Sequence, residues 1–116
     1  MARAGGVLLL LGLALPPALA SSPAAWRDYD REVRAACLQA SRLRQPRVLG
    51  ERVDVPVADR TPDGGTLLIS ALLLEGRWAQ PAPRGQLGRE LCLFEQRTRR
   101  ATVADADALA QPRPKP

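Results

Sequence analysis

Cys37 and Cys92 are the two cysteines of a 116-residue chain that contains no histidine. Without imidazole, the Ser-His and Cys-His nucleophile pairs cannot be assembled, and the commonest metal ligand is missing. Two thiolates alone do not enclose a structural zinc ion. The Cys-x-x-Cys spacing of a redox pair is also absent, because the two cysteines lie 55 positions apart. Two free thiols remain an alternative, but a structural disulfide fits better in a chain addressed to an oxidising compartment. Closing a loop of that length stabilises a fold by about 4 kcal/mol in the chain-entropy model.

Carboxylates could do acid–base work, but their placement is poor. Asp28 and Asp30 sit two apart on a predicted helix and point in different directions. Asp105 and Asp107 fall in a predicted tail. Glu75 and Glu90 could neighbour each other across strands, where a solvated ion-pair face accounts for them. Ser70 lies in a leucine-rich stretch and lacks the Gly-x-Ser-x-Gly elbow of a serine nucleophile. The glycine-containing pieces Asp63-Gly64-Gly65 and Arg84-Gly85-Gln86-Leu87-Gly88 match no phosphate loop. A hydrolase built on carboxylates alone is therefore the weakest reading. The chain is expected not to be an enzyme and to carry no cofactor or metal.

Two features point to binding. The first is the proline- and glycine-rich loop Ala79 to Gly88, with Trp78 at its base and Arg84 within it. Such a loop beside an exposed tryptophan makes a contact surface, whereas a tryptophan folded back on the core makes only a long hairpin. The second is the basic cluster Arg97, Arg99 and Arg100, joined by Arg89. It could meet the phosphates of lipopolysaccharide or an acidic lipid; otherwise it is a solvated hairpin tip. The aromatic interleaving of a nucleic-acid surface is missing, so nucleic acid is not an expected partner.

The elements that must position these residues follow from periodicity. Ser22-Pro23 is an N-cap followed by proline at the first helical position. Trp26, Tyr29, Val33, Ala36, Cys37, Ala40 and Leu43 then recur at spacings of three and four, which predicts a helix to about Arg44. Asp28, Asp30 and Glu32 near its start and Arg42 and Arg44 near its end would suit the helix dipole. Val48 to Val57 alternates Val53, Val55 and Val57 with polar residues. That predicts a strand with one buried face, a bulge at Gly50 and an edge position at Pro56. Asp59 to Gly65 is a turn. Thr66 to Trp78 is apolar on both faces in its first part, which predicts a central strand or one covered on both sides. Glu90 to Gln96 is a third strand, Arg97-Thr98-Arg99 turns, and Arg100 to Ala104 pairs back.

The first 20 residues have the form of a cleavable leader. Arg3 supplies the positive charge, Val7 to Leu15 the apolar run, Pro16 and Pro17 the break, and Ala18-Leu19-Ala20 the small-x-small site. The apolar run falls short of the roughly 20 residues a spanning helix needs. Loss of Arg3 with the leader takes the formal charge from +5 to +4. Residues 21–104 form one small domain, and residues 105–116 a polar, proline-rich tail expected to be disordered.

Gly88-Arg89-Glu90-Leu91-Cys92-Leu93-Phe94-Glu95-Gln96-Arg97-Thr98, with the earlier Ala36-Cys37-Leu38, resembles small uncharacterised exported proteins of proteobacteria. That resemblance covers most of the mature chain and implies no activity. The order of a helix followed by antiparallel strands is also similar to cystatin-like inhibitors. Their Gln-x-Val-x-Gly loop is not matched by Gln80-Pro81-Ala82-Pro83-Arg84-Gly85, so no residue carries over.

The expected fold is α+β: an N-terminal helix packed on a three- to four-stranded antiparallel meander, with one helix-to-strand disulfide. The expected function is an exported, non-catalytic periplasmic or secreted domain that binds a protein, as an accessory or inhibitor-like module. Its contact with the membrane would be transient, during export. The alternative is an anionic-ligand binder acting through the arginine hairpin.

Overall fold

The computed structural model describes residues 22–58, 64–79 and 85–109. Its element order is helix α1 (Pro23–Ala40), then strands β1 (Leu43–Ala58), β2 (Thr66–Trp78), β3 (Leu87–Glu95) and β4 (Arg100–Asp105). The leader, the Asp59 turn, Arg84 and residues 110–116 lie outside the described residues.

Two compact units, residues 1–31 and 32–116, divide inside α1. In the first, Ser22 caps the helix as its sequence predicts: its Oγ accepts from the Ala25 N–H at 3.1 Å and its carbonyl from Trp26 at 3.1 Å. Trp26 and Tyr29 meet edge to face with centroids 5.9 Å apart, and Asp28 pairs with Arg31. A surface hollow of about 350 Å³ lies among Trp26, Arg27, Asp30 and Arg31.

In the second unit the four strands form one antiparallel sheet in the order β1-β2-β3-β4. Every neighbour in sequence is a neighbour in space, as short hairpin connections dictate. The C-terminal half of α1 lies on one face of this sheet. Val33 and Cys37 are buried there with Leu43, Leu72, Leu74, Cys92 and Phe94. Cys37 and Cys92 are joined, with Cα atoms 5.8 Å apart. The expected helix-on-meander fold and its disulfide are both present.

The helix stops earlier than its apolar stripe predicts, at Ala40 rather than Arg44. The cause is tertiary. The carboxylate of Glu90, fully buried on β3, accepts from Ser41 Oγ at 2.6 Å and from the Arg42 N–H at 3.2 Å. Ser41 Oγ in turn accepts from the Leu43 N–H. A buried anion thus captures the donors of the next two residues and turns the chain into β1. Arg42 and Arg44 therefore lie beyond the helix, and neither its first turn nor its last carries the charges that the dipole argument expected.

β1 is an edge strand, as Pro56 requires, and its pairing with β2 slips between Leu49 and Val53, around Gly50 at φ +67°. The bulge expected at Gly50 is there. The chain is also ordered past Asp105. Ala106 is buried, its N–H donates to the Arg89 carbonyl, and residues 107–109 form a turn.

Candidate interaction surface

Alternation assigns each residue of the sheet to one of two faces. The helix-side face carries Ser70, Leu72, Leu74, Glu90, Cys92 and Phe94, all buried. Polar groups on it are paired. Ser70 Oγ donates to Asp54 Oδ1 at 2.7 Å, and Arg52 Nε donates to the same oxygen at 2.7 Å. Burial pushes the Asp54 carboxyl up, but the bonds from Arg52 and Ser70 outweigh it and hold the group below the usual aspartate range. The Ser70 hydroxyl proton is thus committed to an ionised, arginine-bound carboxylate, a poor base.

The other face is open. Leu49, Val53, Val55 and Val57 of β1, Leu67, Ile69, Ala71 and Leu73 of β2, and Leu91 and Leu93 of β3 share it by register, and none is buried. Val53 is 60% exposed and Leu93 42%. The burial expected for Val53, Val55 and Val57 does not occur: they point away from the only face α1 covers. The second apolar face of β2, with Leu67, Ile69, Ala71 and Leu73, is only half-buried, because among the described residues α1 lies on the other side. A hollow of about 350 Å³ between Leu91, Ala104, Asp105, Ala106, Ala108 and Leu109 extends the open face at the β4 side.

One end of this face is basic. In register across the sheet stand Arg47, Glu75 and Arg89. Arg47 Nη2 donates to Glu75 Oε1 at 2.6 Å, and Arg89 Nε to Oε2 at 3.4 Å. The Arg47 bond, helped by Arg89, holds the Glu75 carboxyl below its usual range against the cost of its burial. One step further out, Arg44 lies directly opposite Arg77 on the neighbouring strand. Both are exposed, and neither forms an ion pair among the described residues. Like charges set opposite each other on paired strands are destabilising.

Of the residues picked out from sequence, Trp78, Arg97, Arg99 and Arg100 are among the described residues. Trp78 is half-buried; its Nε1 donates to Asp107 Oδ2 at 3.0 Å, and its ring lies over Gly88, where an added Cβ would sit 2.0 Å from Nε1. Asp107 also accepts from the Arg89 N–H at 2.7 Å. The indole thus pins Asp107 to the end of β2 and the start of β3. Arg97 and Arg99 lie in the β3–β4 turn, with Arg100 at the start of β4. Arg99, at φ +59°, donates to Glu32 Oε1 at 2.9 Å, and Arg100 is in register with Glu95. Arg89 does not join this cluster, because it sits near the start of β3 and the extended strand carries the turn away from it. Glu75 and Glu90 do not meet either. Glu90 pairs in register with Leu74 and Glu75 with Arg89, so the two acids occupy opposite faces, both buried and hydrogen-bonded.

Sequence reasoning missed the Arg44–Arg77 pair and the exposure of the second face. The latter was within reach: one helix can cover one face of a sheet, while β2 is apolar on both. Compared with family models, curated proteins and solved structures, the chain finds no match.

Proposed function

We propose that this chain is an exported, non-catalytic binding module, and that the open sheet face is its working surface. The observation that carries the reading is that uncovered apolar face. Contiguous exposed apolar patches of several hundred Å² are uncommon on monomeric soluble proteins and mark interaction sites. Export is supported by the leader-like residues 1–20 and by the disulfide, which is compatible with a periplasmic or extracellular location. A protein bearing a complementary apolar patch suits the face, as expected of an accessory subunit. The two arginines at its end that form no ion pair among the described residues favour a second reading, an anionic amphiphile.

Photocrosslinking in the producing cell tests this. A photoreactive phenylalanine is placed at Val55, Ile69 or Leu93 on the open face, and at Ala35 or Gln39, both exposed on α1. Adducts, to protein or to lipid, should concentrate at the three sheet positions. Equal yields at the helix positions, or none at the sheet positions, would refute the proposal.

A further inference from the structure

We infer that the open sheet face docks on the anionic headgroup layer of a phospholipid membrane, with Arg44 and Arg77 as its phosphate contacts. This rests on the binding-module reading above and names the partner of that same surface.

Charge is the first argument. Among the described residues the Arg47 and Arg89 side chains share the Glu75 carboxylate, and Asp107 takes the Arg89 N–H. Arg44 and Arg77 stand opposed on adjacent strands with no ion pair among the described residues, although Arg77 Nη1 also donates to the Gly85 carbonyl at 3.2 Å. Two neighbouring guanidiniums present forked donors that match a phosphate, and an anion bound between them relieves their repulsion. The second argument is adjacency. Moving inward from these arginines along β2 and β3, the side chains become Leu73 and Leu91, and beside Leu91 lies the hollow of about 350 Å³, whose lining is apolar except for Asp105. A ligand that is anionic at one end and hydrocarbon at the other fits that sequence of surfaces.

The charge pattern argues against a second copy of the chain. A two-fold axis along the strands would set one arginine end against the other. An axis across them would bring it to the other end of the face, where Glu95 is already in register with Arg100.

The test is co-flotation of the leader-free, oxidised protein with vesicles at low salt. One set is pure phosphatidylcholine; the other is equal parts phosphatidylcholine and phosphatidylglycerol. The protein should float with the second set only, and salt should release it. Arg44→Ser with Arg77→Ser should weaken partitioning about 30-fold, since each basic side chain at an anionic surface contributes about fivefold. These side chains are exposed and outside the core, and their opposition is unfavourable, so the variant should melt no lower than the wild type. Arg97→Ser with Arg100→Ser, on the β3–β4 hairpin, should bind within about threefold of wild type by the same measure. No binding to phosphatidylglycerol vesicles, equal binding to both sets, or a loss confined to the hairpin variant would each overturn the proposal. Failure here together with photocrosslinks to a protein at Val55, Ile69 and Leu93 would retain the open face and replace the lipid. Failure with no sheet-face adducts would remove both.

Discussion

Reducing the Cys37–Cys92 bridge should cost this domain a large share of its stability. The bridge closes a loop of 55 positions, and the chain-entropy relation gives about 4 kcal/mol for a loop of that size. A small domain has roughly 5–15 kcal/mol in total, so the reduced protein should be left marginal. At 4–8 °C per kcal/mol for a domain of this size, the midpoint should fall by roughly 15–30 °C. Reduction of the wild-type protein is a cleaner perturbation than Cys→Ser. Both sulfurs sit at fully buried positions, and serine there would add the cost of burying hydroxyls. Thermal melts followed by circular dichroism, with and without reductant and with alkylation to confirm the redox state, give the shift directly. A reduced protein melting within about 3 °C of the oxidised one, under 1 kcal/mol by the same scale, would show that the helix and sheet hold together without the bridge.

Other outcomes follow from local geometry. Gly88→Ala should cost about 1–3 kcal/mol or more in urea denaturation, because its Cβ would meet the Trp78 indole at 2.0 Å. Gly50→Ala meets no atom and should cost only about 1 kcal/mol, through its positive φ. Glu90→Gln should lose about 1–3 kcal/mol, since an amide nitrogen would face donors that now bond a carboxylate. Asp54 and Glu75 are held below their ordinary values of 3.8 and 4.5. A carboxyl depressed in the fold contributes stability above its unfolded value and loses it as pH falls through the folded one. Stability should therefore be flat for these groups at neutral pH and decline below about pH 4.5, less steeply in Arg47→Ser. The intact mass of exported protein should begin at Ser21, with both thiols unreactive to alkylation until reduced.

The sequence announced what local rules control. Ser22-Pro23 starts the helix, Gly50 bulges β1, and Pro56 keeps that strand at an edge. The disulfide was legible because the helical period of Cys37 and the strand period of Cys92 both aim sulfur at one interface. What stayed hidden depends on residues far apart in the chain. The end of α1 is set by Glu90, 49 positions beyond Ser41. The order of residues 106–109 rests on Asp107, which composition places in a tail but which Trp78 and Arg89 hold. The alternation of Val53, Val55 and Val57 names a face without saying whether anything covers it. The opposition of Arg44 and Arg77 exists only once the β1–β2 register is fixed.

The central claim is that the open sheet face is covered when the protein is at work. Carbene footprinting, on the purified protein and on the protein in the envelope fraction of the producing cell, where the proposed export would place it, tests this most directly. Peptides containing Val53, Val55 and Val57, and Leu91 and Leu93, should label strongly in the purified protein and be protected in the envelope. The α1 peptide containing Ala35 and Gln39 should label alike in both. Equal labelling of the sheet peptides in the two preparations would contradict the account.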